Sequence, residues 1–157
     1  IMDLKQLYQD IILEHGKSPR NFGKIQGYNH EAKGHNPLCG DKVQVYLKLN
    51  EEKKVEELTF EGAGCAISIA STSIMTELVK GKPINVAKNI IEAFFNMIKN
   101  DTKMETKDLD EDQKIKIMSL SGVKQYPMRV KCATLAWHTL VSAMEGKKEE
   151  VNTEAID

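Results

Sequence analysis

The chain has 157 residues and a formal net charge of −1, with 41% hydrophobic and 29% charged residues. This length suits one domain with its own core, and the near-zero charge excludes a basic protein that binds nucleic acid or an anionic membrane. The sequence shows no apolar run of about 18 residues and no secretory signal, so we expect a cytoplasmic protein whose partners are proteins or small molecules.

The first predicted element is an amphipathic helix near the start of the chain. Asp3 is placed to cap this helix, Gln6 completes the capping pattern, and Gly16 is placed to end it. The apolar positions that recur at helical spacing are Leu4, Leu7, Tyr8, Ile11 and Ile12. The stretch 17–36 is rich in glycine, proline, asparagine and histidine, which predicts a loop with one short strand near 27–33.

An antiparallel hairpin is predicted next, because apolar and polar residues alternate over 42–49 and again over 57–61. Cys39 and Asp41 lie on the loop that enters its first strand, and Cys65 lies on the loop that leaves its second strand. Both loops belong to the same end of the hairpin. We therefore expect these three residues to lie close together in space.

A helix is predicted after this hairpin, because apolar residues recur at helical spacing from Ser68 to Gly81. Cys65 is then the entry point of the helix, where free amides and the positive end of the helix dipole favour a thiolate. A third predicted helix begins near Asn85.

The last third of the chain contains one further excursion and one further helix. The polar stretch 100–112 has no clean apolar face and is predicted to be exposed. Pro127 forces a break before the last helix, and Cys132 falls in the first turn of that helix. We expect a single domain over 2–146 and a flexible tail over 147–157.

Three cysteines are an odd number, which in a reducing compartment favours metal binding or thiol chemistry over a disulfide framework. Cys39 and Cys65 lie beside glycines, which leave a sulfur exposed, and Asp41 adds an oxygen ligand to them and to Cys132. Such a set could close a tetrahedral shell around zinc or hold an iron-sulfur cluster. Taken singly, each cysteine is also compatible with a small buried apolar residue, and Asp41 with a turn.

Other polar residues are weaker ligand candidates. His15 and His138 lie on predicted helices without metal-binding spacing, so we interpret both as surface residues, and His35 as a solvated loop histidine. Lys131 beside Cys132 either offsets the negative charge of a thiolate site or is a simple exposed lysine.

Three motifs carry a resemblance to a known family: NPLCGD at 36–41, GAGCAIS at 62–68 and RVKCATLAW at 129–137. Their order and context strongly resemble the iron-sulfur assembly family of IscU and the NifU N-terminal domain, over nearly the whole chain. Lys131 stands where IscU proper carries a histidine, and the stretch 100–112 is extra length. Both departures resemble the SufU branch of the family, whose members bind zinc.

The resemblance implies an α/β (α+β) two-layer sandwich, in which helices cover a small antiparallel three-stranded sheet with the metal at one end. It implies four zinc ligands, a sulfur-accepting role for Cys39, and a contact of Arg129 with a partner cysteine desulfurase of the SufS type. The ligands are Cys39, Asp41, Cys65 and Cys132. The implied function is a sulfurtransferase-like acceptor of persulfide sulfur that passes it to downstream iron-sulfur scaffold proteins. The alternative is a scaffold that holds a transient iron-sulfur cluster on the same ligands.

Overall fold

The computed structural model describes residues 3–100 and 106–155, which form five α-helices and a four-stranded sheet. The elements in chain order are α1 (Leu4–Lys17), β1 (His30–Asn36), β2 (Asp41–Leu49), β3 (Val55–Ala63), α2 (Ala66–Val79), α3 (Ile84–Asn100), α4 (Glu111–Ser119), a 3₁₀ helix (Leu120–Gln125), α5 (Pro127–Met144), β4 (Val151–Asn152) and a second 3₁₀ helix (Thr153–Ala155). The α+β class expected from the sequence is confirmed.

The sheet has the order β3-β2-β1-β4. The predicted hairpin is β2 and β3, which pair antiparallel from Lys42 opposite Ala63. β1 also pairs antiparallel with β2, in a register that sets Asn36 opposite Asp41, so only a tight turn separates these two strands. The expected three-stranded antiparallel sheet is therefore present, and it carries a fourth strand that the sequence pattern did not predict.

β4 comes from the stretch 147–157, for which the sequence predicts a flexible tail. Val151 lies opposite Gly34 of β1 in a parallel pairing, and the chain then forms a 3₁₀ turn over Thr153–Ala155. Thr153 is buried there. Contacts with β1, far away in the sequence, order this segment. Such contacts cannot be predicted from a short stretch with few apolar residues.

One face of the sheet packs against α2 and α5, and this layer forms the core. Val45, Leu47 and Phe60 from the sheet are fully buried. Trp137 of α5 stacks on Phe94 of α3, with 4.0 Å between ring centroids. The indole nitrogen of Trp137 donates a hydrogen bond of 2.9 Å to Ser71 of α2, so the buried polar atom is satisfied.

Local capping explains where several helices begin. The Asp3 carboxylate accepts from two amides of the first turn of α1, as the sequence predicts. Asp110 and Gln113 form a capping box at the start of α4. The predicted exposed excursion over 100–112 falls partly on residues 101–105, which lie outside the described residues, and its last two residues belong to α4. None of the described helices is long and apolar enough to span a bilayer.

The interpretation of His15 and His138 as surface residues is wrong. His15 is buried, and its Nδ1 lies 2.7 Å from the Ser73 hydroxyl of α2. His138 stacks on Phe95 with 4.4 Å between ring centroids. Burial, with a smaller contribution from the charge of Lys99, lowers the pKa of His138 from 6.5 to about 4. His15 packs against α2 and His138 against α3. The apolar pattern of a helix's own sequence does not reveal contacts of this kind.

The depressed pKa of His138 predicts an acid-sensitive contribution to stability. The unfolded chain takes up a proton near pH 6.5 and the folded chain only near pH 4, so the contribution is complete above 6.5 and lost as pH falls through this window. After allowance for partial exposure, the loss is about 2 kcal/mol. We expect His138→Gln to flatten the pH dependence of the unfolding free energy between these values, measured by denaturant titration. Parallel curves for both proteins would contradict this.

Candidate metal and thiol site

The candidate site lies at the end of the sheet where β1 meets β2 and where β3 leads into α2. Asp41 is the first residue of β2 and is fully buried, whereas Cys39 lies half-buried in the preceding turn. Gly40 between them has φ of +70°, a conformation that glycine adopts without strain. The turn thus sets the carboxylate inward and leaves the thiol on the rim.

Cys65 is the N-cap residue of α2, where its sulfur accepts a 3.5 Å hydrogen bond from the Ser68 amide. The Cys65 amide donates a 2.9 Å bond to Asp41 Oδ1, which ties the start of α2 to the start of β2. Gly64 has φ of +142°, and a Cβ there would lie 2.3 Å from Asp41 Oδ1. Only glycine therefore allows the chain to pass this close to the carboxylate.

Cys132 reaches the same place from α5, which begins with Pro127 at its first position. The thiol is fully buried, and its sulfur lies 3.5 Å from the side-chain nitrogen of Asn36. The ligand atoms of Cys39, Asp41 and Cys132 all lie within 4.8 Å of one another. Two segments far apart in sequence, the turn into β2 and the start of α5, thus converge.

Cys65 borders this three-residue group. Its sulfur lies 3.9 Å from Asp41 Oδ2. The pKa of Cys65 is lowered from 9.0 to about 7, mainly by a hydrogen bond with Cys132, whereas burial of Cys65 raises its pKa. The same hydrogen bond, together with burial, raises the pKa of Cys132. Of this pair, Cys65 is therefore the thiol that loses its proton more readily.

The donor set fits a divalent metal ion on chemical grounds. Asp41 is fully buried, and among residues 3–100 and 106–155 no lysine or arginine forms an ion pair with it. Burying a carboxylate without a cation destabilises the fold by roughly several kcal/mol. The three nearby thiols offer sulfur ligands for such a cation. Three sulfurs and one oxygen are a ligand set suited to tetrahedral zinc.

Two basic residues of the third motif have different surroundings. Arg129 is exposed, and its Nη1 lies 3.7 Å from the Cys39 sulfur, so a positive charge stands beside the thiol on the rim. The Lys131 ammonium lies 3.1 Å from the Glu154 carboxylate, with which it forms an ion pair. His35 lies on β1, 3.9 Å from Glu150, and is not part of the cluster.

Sequence reasoning missed Asn36 and Thr153 as neighbours of the site. Asn36 donates to Asp41 Oδ2 at 3.3 Å and accepts from the Thr153 hydroxyl at 3.1 Å. Asn36 is the first residue of the motif that ends at Asp41, so the sequence did contain a signal that Asn36 belongs to the site. Nothing in the sequence around Thr153 indicated this contact.

An apolar surface adjoins Arg129 and the cysteines. Tyr8, Leu13, Ile67 and Tyr126 line a shallow groove of about 470 Å³ that reaches Arg129. Leu13 of this groove is 58% exposed, and two large apolar residues that precede Cys39 and Arg129 in the sequence, Leu38 and Met128, are 59% and 70% exposed. Exposed apolar side chains gathered in this way are typical of a protein-binding surface.

Comparisons with known proteins agree on one family. Residues 7–145 match the model of the NifU-like N-terminal domain. The zinc-dependent sulfurtransferase SufU of Bacillus subtilis is 38% identical, over 88% of this chain and 89% of the relative. The iron-sulfur cluster assembly scaffold protein IscU of Streptococcus pyogenes is 35% identical, over 90% of this chain and 85% of the relative.

Solved structures agree with the fold. A scaffold protein of the SUF system from Fervidobacterium islandicum superposes with a TM-score of 0.75 at 36% identity, covering 88% of this chain and 97% of that one. The N-terminal part of a NifU-like protein from Brucella abortus gives a TM-score of 0.77 at 23% identity, covering 91% of this chain and 95% of that one. The second likeness concerns the fold alone.

Proposed function

The chain belongs to the family of the NifU-like N-terminal domain, and from this premise we propose that it acts in iron-sulfur cluster assembly as a zinc-dependent sulfur acceptor. Its donor would be the persulfide of a cysteine desulfurase of the SufS type. It would pass the sulfur to downstream iron-sulfur scaffold proteins. The name of the Bacillus subtilis relative and the donor set of the site both support this reading.

The observation that carries the proposal is the position of Cys39, which is partly exposed and lies beside the Arg129 guanidinium. Asp41 and Cys132 are fully buried, and Cys65, which is also partly exposed, caps a helix. Zinc would be held by all four and would keep its thiolates deprotonated near neutral pH. Cys39 is therefore the partly exposed thiol that also has a positive charge beside it, and this suits it to meet a partner's sulfur.

The proposed step is a thiol exchange on Cys39. Its thiolate attacks the outer sulfur of the partner's cysteine persulfide, forming a new sulfur–sulfur bond on Cys39. The original sulfur–sulfur bond breaks, and the partner's cysteine leaves as a thiolate. One sulfur atom and its proton are transferred, and no external oxidant or reductant is consumed.

Arg129 is proposed to assist this exchange in two ways. Its guanidinium lies beside the Cys39 sulfur and would stabilise the thiolate that attacks. It also borders the apolar groove, and this arrangement suits a contact with the desulfurase. A charged residue at the edge of an apolar surface favours correct docking over nonspecific adhesion.

The reducing environment of the cytoplasm suits this role, because it keeps the three free cysteines reduced. A second candidate function is a scaffold that assembles and releases an iron-sulfur cluster on the same four residues. The similarity to the Streptococcus pyogenes scaffold protein favours it. In that case the cluster would be the cargo of the protein, and sulfur would reach it from the same desulfurase.

Metal analysis of the purified protein distinguishes the two functions. We expect a colourless aerobic preparation with about one zinc per chain, since a closed site with three thiolates and one carboxylate suits one ion. Adding the protein to a cysteine desulfurase with cysteine as substrate and a thiol reductant, which reduces the persulfide, should raise sulfide release. A brown, oxygen-sensitive chromophore formed from iron and sulfide, without stimulation of the desulfurase, would support the scaffold instead.

A further inference from the structure

The segment 151–155 returns to the candidate metal site from the far end of the chain. β4 pairs with β1 through Val151 opposite Gly34 and Asn152 opposite His35. The next residue, Thr153, therefore arrives beside Asn36, the last residue of β1. The segment lies beyond residues 7–145, which match the family model.

Two hydrogen bonds connect this segment to the ligand candidates. The Thr153 hydroxyl donates to Asn36 Oδ1 at 3.1 Å, across 117 residues of sequence. The Asn36 side-chain nitrogen donates to Asp41 Oδ2 at 3.3 Å and lies 3.5 Å from the Cys132 sulfur. Thr153 is only 2% exposed and Asn36 is fully buried, so water does not compete for these contacts.

The orientation of the Asn36 amide is set from both of its ends. An amide offers one oxygen that accepts and one nitrogen that donates. The opposite orientation would turn its oxygen toward the Asp41 carboxylate and the Cys132 sulfur, where acceptors repel it. The Thr153 hydroxyl satisfies the oxygen in the observed orientation, and this leaves both hydrogens of the nitrogen for the two ligand candidates.

The rest of the segment holds Thr153 in place. The Glu154 carboxylate forms an ion pair with the Lys131 ammonium at 3.1 Å. The backbone amide of Glu154 donates a hydrogen bond of 2.9 Å to the Asn152 side chain. The ion pair is exposed and contributes about 0 to 1 kcal/mol, because water and salt screen it. The buried hydroxyl of Thr153 is therefore the contact through which the segment acts on the site.

We propose that the segment 151–155 is a positioning element of the metal site, in which Thr153 orients Asn36 and Asn36 holds Asp41 and Cys132 in place for a divalent ion. The inference rests on the zinc site of the proposed function. Groups that orient metal ligands in this way change metal affinity by about 10-fold to 100-fold when removed. The Thr153 hydroxyl donates to Asn36 and not to a ligand candidate, so its role is to position Asn36.

The test compares three variants of the full chain by their affinity for Zn²⁺, measured in competition with a chromogenic chelator. Thr153→Val keeps the shape of the side chain without the hydroxyl, and we expect zinc binding about 10-fold weaker. Thr153→Ser restores the hydroxyl and should restore the affinity. Thr139→Val is the matched control, because it removes another fully buried threonine hydroxyl that donates to a backbone carbonyl of α5 and does not contact Asn36.

A spectroscopic measurement separates positioning from a general loss of stability. With Co²⁺ as the probe, the absorption bands that report on the ligand geometry should shift in Thr153→Val and stay unchanged in Thr139→Val. Equal zinc affinity in wild type and Thr153→Val would overturn the positioning role and leave the metal site standing. Equal weakening in both valine variants would also overturn it. A wild-type chain that binds no zinc would overturn the metal site itself.

Discussion

Cys39→Ser is expected to abolish the transfer of sulfur to this chain while zinc binding is weakened but retained. The serine hydroxyl is not a thiolate at neutral pH, so it cannot attack the persulfide of the partner. Of the three remaining ligand candidates, Asp41 and Cys132 are fully buried and Cys65 is partly exposed, and the substitution at Cys39 leaves all three in place. The transferred sulfur is measured by mass spectrometry of the chain after incubation with the desulfurase and cysteine.

Cys65→Ser is the matched control for this prediction. It also exchanges one candidate ligand sulfur for oxygen, but it leaves the Cys39 thiol on the rim. We expect a persulfide to be captured on Cys39 of this variant, at a lower yield than in wild type. If Cys39→Ser accepted sulfur at the wild-type rate, Cys39 would not be the acceptor, and one of the other two thiols would have to take its place.

Asp41→Ala is expected to remove most of the stabilisation that zinc gives to the fold. A ligand that binds only the folded chain stabilises it by about 2.7 kcal/mol when its concentration is 100 times the dissociation constant. Asp41 supplies the only oxygen of the proposed set, and without it the Asn36 and Cys65 donors lose their acceptor. Thermal unfolding with and without zinc should therefore show a large rise in Tm for wild type and a small one for the variant.

Asp41→Asn removes the charge of Asp41 and keeps one of its hydrogen bonds. The asparagine oxygen still accepts from the Cys65 amide, but the asparagine nitrogen faces the Asn36 nitrogen, so the bond from Asn36 is lost. We expect the metal-free form of this variant to be close to wild type in stability, because the removal of a buried charge offsets the lost hydrogen bond. The zinc-dependent rise in Tm should nevertheless be small. A rise equal to that of wild type would exclude Asp41 as a ligand.

Much of the fold follows from local patterns in the sequence. The alternation over 42–49 and 57–61 predicts β2 and β3, and the ends of that hairpin place Asp41 near Cys39 and beside Cys65. The convergence of Cys132 with them depends on how α5 packs on the sheet. That packing is a long-range property, and only the motif resemblance anticipated it.

The parts that were not predicted depend on contacts across the whole chain. β4 has two residues, and no hydrophobic period can be read from so short a strand. Asn36 and Thr153 are polar residues that are buried against each other. The burial of either one therefore cannot be predicted from its own sequence neighbours. His15 and His138 occupy positions on helices where their neighbours in space, rather than in sequence, decide their exposure.

The long sequence separation within the site has a consequence for biosynthesis. Asn36 contacts Cys132 across 96 residues and Thr153 across 117 residues. During translation, Cys39 and Asp41 are synthesised before Cys132 and Thr153, so the early pair at first lacks these neighbours. The nascent polypeptide therefore has an incomplete donor set until α5 and the segment behind it have emerged. An ion held by the proposed ligands would therefore be loaded only after α5 has emerged from the ribosome and packed on the sheet.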